Sequence, residues 1–228
     1  MNKLALAAFC VLLAVPALAK PVPSGPATVS LKPADWDIRF SPGQPNHPGN
    51  GWVFAFPQNN SAKCPGSNCP AIHYVTTKAV TGKIALGQTL TATFTVTGVA
   101  SVWNHITEKD GNTTGGSPAS VRMFFQQKGD NLTGQGKYAY YRWWSNPISV
   151  ALAAGTFTIT VPLTPANWSS VFGAEGNASV AATAGFNGAI ANLNNLGFTF
   201  GGGSFFGHGL NLTSGTATFT LTGYGVTP

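Results

Sequence analysis

The chain is short of acid. Its 228 residues hold six carboxylate side chains, Asp35, Asp37, Glu108, Asp110, Asp130 and Glu175, and charged residues of both signs make up only 8%. Glycoside hydrolysis needs two carboxyl groups facing one bond, so this scarcity argues against a hydrolase. Asp35/Asp37 and Glu108/Asp110 stand two apart and share a face only where the chain is extended. The second pair lies in "TEKDGNTTGG", which has the composition of a solvated turn. Lys and Arg form no cluster. The formal charge of +6 comes from missing acids, marks no phosphate track, and excludes nucleic acid as an expected partner. No G-x-S-x-G is present. Ser204 and His208 in "GGGSFFGHG" are close enough for a Ser–His pair, but no acid neighbours them and no helix pattern or Lys follows to make a phosphate cradle. His208 is expected to cap a loop hydrogen bond or to join Phe205 and Phe206 at the rim of a ligand site.

Long apolar runs are also missing, with one exception. "MNKLALAAFCVLLAVPALAK" has Lys3 as a positive start and an apolar stretch, Leu4 to Val15, too short to span a bilayer. It ends in a small-x-small site, Ala17-Leu18-Ala19. It reads as a bacterial signal peptide, residues 1–19, cleaved after Ala19. The protein is therefore expected to be secreted or periplasmic, with no membrane span. Of three cysteines, Cys10 lies in that leader; Cys64 and Cys69 flank the turn residues of "KCPGSNCP". An exported chain would close them as a disulfide. The alternative, zinc held with His73 and His47, suits a reducing compartment better.

What is abundant is β-strand chemistry. Residues 20–34 form a Pro-rich N-terminal arm, and 35–228 read as one domain. Short runs at 36–40, 52–56, 71–77, 88–98, 120–128, 137–145, 156–163, 196–202 and 216–226 are rich in β-branched and aromatic residues between Gly-rich turns. "TLTATFTVT" alternates without error, threonines on one side and Leu90, Ala92, Phe94 and Val96 on the other. The expected fold is all-β, an antiparallel β-sandwich with one or two short helices, at 164–173 and at 185–197, the latter with Phe186, Ile190 and Leu193 on one face.

One stretch points to function. "YAYYRWW" places five rings and an arginine in seven positions, 138–144. Read as a strand, it sends Tyr138, Tyr140, Arg142 and Trp144 to one face and Tyr141 and Trp143 to the other. An ionised Arg is not buried unpaired, so the Arg142 face is expected to be open. The same rule on "SVRMFFQQK" turns Arg122, Phe124 and Gln126 outward. Rings between planar hydrogen-bonding groups suit a sugar, whose C–H face packs on an aromatic ring while its hydroxyls take polar contacts. The expected ligand is an oligo- or polysaccharide. A covering loop would instead make these rings a second small core.

The order of these segments resembles galactose-binding-like jelly rolls, the fold of many carbohydrate-binding modules and of the complex I intermediate-associated type. The alternating strand "TLTATFTVTG", the arginine strands "SVRMFF" and "YYRWW", "TFTITVPLTPANWSSVFG", the helix "FNGAIANL", "LGFTFGGG" and the closing "GTATFTLTGYGV" carry it, over roughly two-thirds of the chain. The resemblance implies non-catalytic ligand binding on a concave sheet or loop rim. Such domains often hold a structural calcium ion. The closing strand here has no acid for one, leaving Asp35, Asp37 or Asp130 with backbone oxygens as candidates, so no cofactor is expected. Two other classes fit parts of the pattern. One is an extracellular matrix or surface protein that binds through sheet edges. The other is an ice-binding array of threonines, for which a twisted sheet is a poor template.

Overall fold

A computed structural model describes residues 27–40, 47–48, 52–58, 70–105, 118–146, 148–203 and 206–228. The leader, the Cys64/Cys69 pair, Glu108, Asp110 and Ser204 lie outside these residues. The strands are β1 (Thr28–Val29), β2 (Trp36–Phe40), β3 (His47–Pro48), β4 (Val53–Ala55), β5 (Ile72–Thr77), β6 (Val80–Thr81), β7 (Thr89–His105), β8 (Ala119–Gln127), β9 (Arg142–Ser145), β10 (Val150–Ala151), β11 (Gly155–Pro162) and β12 (Trp168–Ser169). A helix α1 (Val180–Ala191), β13 (Leu193–Gly202) and β14 (Leu210–Thr227) complete the described chain. Hydrogen bonding runs β11-β7-β14-β5-β13-β8-β9-β12, with β2 on β5 and β4 on β14, every named pair antiparallel.

This path folds into two layers. β5 and β14 meet only where Leu210 faces Ile72, which makes that pairing the corner. The layer β2-β5-β13-β8-β9-β12 then packs its inner face on β11-β7-β14-β4. Rings fill the gap: Phe198 of β13 lies 5.9 Å from Phe94 of β7 and 5.7 Å from Phe219 of β14, and Phe200 lies 5.7 Å from Phe54 of β4. Deleting a buried ring of this kind costs about 3–5 kcal/mol. The fold is an antiparallel β-sandwich.

Alternation explains which residues face in. In β7, Leu90, Ala92, Phe94 and Val96 are buried, while Thr91, Thr93 and Thr95 turn outward to meet Thr160, Thr158 and Thr156 of β11. A second inner cluster closes the far end. Phe186 of α1 sits 5.6 Å from Phe125 of β8 and 5.2 Å from Trp143 of β9, and Phe125 lies 4.7 Å from Trp168. α1 begins at Ser179, whose hydroxyl accepts from the Ala182 N–H at 3.0 Å.

Three expectations change. The helix expected at 185–197 starts earlier and stops at Ala191, so Leu193 belongs to β13 rather than to the helix face of Phe186 and Ile190. The helix at 164–173 is one 3-10 turn, Pro165–Asn167, ended by β12. The strand at 137–145 is halved: Gly136–Tyr140 is a 3-10 turn and only Arg142–Ser145 is extended. Gly134 and Gly136, at φ 73° and 55°, turn the chain into it. The period is then three rather than two, so Tyr138 meets Tyr141, ring centroids 5.0 Å apart. Tyr141 is only half-buried rather than a core residue. Tyr140 stacks at 6.1 Å on Trp143, on the inner side, and does not share a face with Arg142 and Trp144.

Candidate functional site

The outer face of the β2-β5-β13-β8-β9 layer forms a groove. Register fixes its floor: Asp37 faces Thr76, Thr76 faces Gly197, Gly197 faces Phe124, and Phe124 faces Trp144. One step along, Arg39 faces Tyr74, which faces Thr199, which faces Arg122. Asn195 faces Gln126, which faces Arg142. Arg122, Phe124, Gln126, Arg142 and Trp144 therefore share one sheet face, as alternation required, and Trp143 points into the core.

That face is not open along its whole length. Phe124 and Trp144 are 2% and 4% exposed. Phe206 covers Trp144 edge-on at 5.4 Å, and Phe124 touches Trp144 at 5.3 Å and Tyr74 at 5.1 Å. These rings make a second, smaller aromatic cluster. Arg122 tethers the covering loop. Its Nη2 donates to the Gly203 carbonyl at 3.3 Å, its Nη1 to Asn146 Oδ1 at 2.7 Å, and its guanidinium lies 4.3 Å from the Phe206 ring. Burial pushes its pKa down to about 10, so it stays charged near neutrality.

What stays accessible is a pair of adjoining clefts that share Arg39, Tyr74 and Leu132. The larger, about 500 Å³, is lined by Asp37, Tyr74, Thr76, Phe124, Gln126, Asn194 and Asn195 among others. The smaller, about 250 Å³, lies between Arg39, His73, Arg142, Trp144 and the Phe206–His208 segment. A hydrogen-bonded line joins them. Asn195 Nδ2 donates to Gln126 Oε1 at 2.8 Å, and Gln126 Nε2 donates to Asp130 Oδ2 at 2.7 Å. The same Oδ2 lies 2.9 Å from Arg142 Nε, in an ion pair rather than an aligned hydrogen bond. Asp130 also accepts from the Leu132 N–H at 3.0 Å, which holds Leu132 at φ 65°, an uncommon conformation for a side chain of that size.

His73 occupies a β-bulge, because Arg39 pairs with Tyr74 while Phe40 pairs with Ile72. Its Nδ1 lies 3.2 Å from the Gly207 carbonyl, which can only accept, so that nitrogen carries the proton of a neutral ring. Burial outweighs this contact and, with His208 and Arg39 nearby, lowers the His73 pKa to about 4. His208 borders the smaller cleft with an exposed edge. Its pKa is lowered by desolvation and by Arg142. The Tyr74 hydroxyl is raised by burial, against the pull of Arg142 and Arg39. Two glycines let the loop approach: a Cβ on Gly209 would stand 2.8 Å from His73 Nε2, and one on Gly207 3.0 Å from Trp144 Nε1.

Among the described residues no group of three His, Cys, Asp or Glu side chains could hold a metal ion. Asp130, one of the calcium candidates, is engaged by Gln126 and Arg142, and Asp35 accepts a hydrogen bond from the Ser30 hydroxyl. Comparison with known proteins finds no match to a family model, a curated sequence or a solved structure. The chemistry of the groove is therefore the guide to function. Sequence reading missed Arg39, Tyr74, Asn194 and Asn195. The alternation of "WDIRF" already sends Asp37 and Arg39 to one side. The bulge at His73 hid Tyr74.

Proposed function

We propose that the protein is an exported, non-catalytic carbohydrate-binding β-sandwich of the galactose-binding-like type, which takes an oligo- or polysaccharide in the groove between β2 and β9. The observation that carries this reading is the larger cleft. Its floor offers the half-buried Tyr74 ring, backed by the buried Phe124, and its walls offer amide and hydroxyl groups at Thr76, Gln126, Asn194 and Asn195. An apolar platform ringed by planar donors and acceptors suits a pyranose, which is apolar on one face and hydroxylated at its edge. The ion pair of the groove, Arg142 with Asp130, fits binding better than acid–base catalysis, because its carboxylate is already committed.

The test is affinity electrophoresis of the full chain through gels containing neutral and acidic polysaccharides. Retardation on at least one is expected. It should be lost in Asn195→Ala, whose side chain is only half-buried and whose loss should leave the melting temperature within a few degrees. The same protein should release no reducing ends from the retaining polysaccharide. Free migration through every gel, or release of sugar, rejects the reading.

A further inference from the structure

Charge is divided between the two clefts. The larger one is bordered by two acids, Asp37 and Asp130, and two bases, Arg39 and Lys78, whereas the smaller is bordered by Arg39 and Arg142 and by no acid among the described residues. Two donors in the smaller cleft also lack acceptors. Arg142 is 8% and Trp144 4% exposed, and neither Arg142 Nη2 nor Trp144 Nε1 has a hydrogen-bond partner among the described residues. The buried tryptophans of the inner layer behave otherwise. Trp36, Trp143 and Trp168 each donate to a backbone carbonyl, of Ser30, Tyr140 and Pro162, at 2.7, 2.9 and 2.9 Å. A buried donor without an acceptor costs about 1–3 kcal/mol, more when it is charged. Two such donors in one cleft are a demand for oxygen.

The backbone beside the indole N–H carries no side chain. Gly207 holds φ +85°, and a Cβ there would stand 3.0 Å from Trp144 Nε1 and 3.3 Å from the Tyr74 hydroxyl. Any other residue would set a side chain against the indole N–H.

We propose that the smaller cleft is a subsite for a carboxylated sugar, a hexuronate whose carboxylate is held by Arg142 Nη2 and the Trp144 indole N–H with Arg39 as a second cation, while the larger cleft takes the neighbouring residue through its hydroxyls. This rests on the carbohydrate reading above and adds the charge of the ligand and its direction along the groove. A carboxylate presents two oxygens to donors from two side chains, and a charged donor and acceptor together strengthen each contact. Asp130 meets Arg142 only on its Nε side, so a neutral sugar would leave Arg39 and the Nη2 side of Arg142 without an anion in a cleft bordered by no acid among the described residues.

The experiment compares polygalacturonate with its fully methyl-esterified form and with a sulfated galactan, using the full chain at fixed ionic strength. Wild type should bind the free polyuronate about tenfold more tightly than the ester, one decade corresponding to about 1.4 kcal/mol. Raising salt should weaken the free form selectively. Arg142→Gln strands Asp130 and can unfold the chain, so the deciding variants are Arg39→Gln, at an exposed side chain, and Gly207→Ala, which sets a methyl group against the indole N–H. Both should shrink the preference to about twofold or less, with melting temperature checked in parallel. Equal binding of acid and ester overturns the subsite while the carbohydrate reading stands. So does an acid preference that persists in both variants, or retention of the sulfated polymer alone. Binding to none of the polymers overturns both.

Discussion

On the outer face of β7 and β11, Thr93 and Thr95 meet Thr158 and Thr156 across the sheet at 3.1 Å, and Thr91 meets Thr160 at 3.4 Å. On the outer face of β8 and β9, Arg142 and Trp144 carry donors with nothing to receive them among the described residues. The two faces belong to one sandwich and obey the same alternation, yet they treat polar groups in opposite ways. The threonine face is wet, and its hydroxyls are satisfied by one another and by solvent. It follows from β propensity alone. The arginine face is roofed by Phe206 and tethered by Arg122, so its polar groups have been taken out of water at a cost. Burying polar groups without completing their bonds is a poor way to stabilise a fold and a good way to prepare a ligand site.

The largest effect that separates the faces is expected at Asp130. Its side chain is 1% exposed and its partner Arg142 9%. Asp130→Ala leaves a buried guanidinium without its counter-charge and frees Gln126 and Leu132 from their shared acceptor. Urea unfolding should show a loss of about 3–5 kcal/mol, the usual consequence of breaking a buried pair from one side. A loss below about 1 kcal/mol would mean that water reaches Arg142 as freely as it reaches the threonines.

A smaller separation is expected from acid. His73 is neutral in the folded protein, with its pKa lowered from 6.5 to about 4 by burial. The unfolded chain takes up the proton first, so the unfolded state gains as pH falls below 6.5 and the effect levels off near 4. Stability should therefore fall by roughly 3 kcal/mol at most across that window, each pKa unit being worth 1.36 kcal/mol. The threonine ladder, Thr91 to Thr95 with Thr156 to Thr160, has no titrating side chain to add to it. His73→Gln should flatten the pH dependence between those limits. An unchanged slope assigns the acid sensitivity to another group.

Legibility followed the range of the interaction. β2 was readable to the residue from "WDIRF", and the arginine rule oriented β8 and β9 correctly, because both signals are local. The rule's corollary failed. Arg142 faces outward but is not in solvent, because Asp130, twelve residues earlier and across a turn, answers its charge. Phe206, which roofs Trp144, comes from a loop 62 residues later, and no periodicity announces it. "YAYYRWW" misled for a third reason. Gly134 and Gly136 begin a turn whose three-residue period imitates a strand when the rings are adjacent in sequence. The alternative in which a loop covers the rings thus accounts for Phe124 and Trp144, while the groove survives beside them at Tyr74, Gln126 and Asn195.

The smallest expected effect is on the threonine face itself. In Thr93→Val/Thr158→Val, two β-branched residues replace two others, so strand propensity is kept. The lost contact joins hydroxyls at an exposed pair of positions, where water can replace it. Stability should change by no more than about 0.5 kcal/mol, as for surface substitutions generally. Polysaccharide retention should not change at all. An ordered hydroxyl array would require more regularity than this face has, since β14 shifts register between Leu212 and Ser214, Ser214 and Thr216, and Leu221 and Gly223. If the double variant loses more than about 1 kcal/mol by thermal or urea melts, the hydroxyl ladder carries stability. If it loses polysaccharide retention, the ligand lies on the threonine face. In that case the unpaired donors at Arg142 and Trp144 would no longer mark where this protein binds.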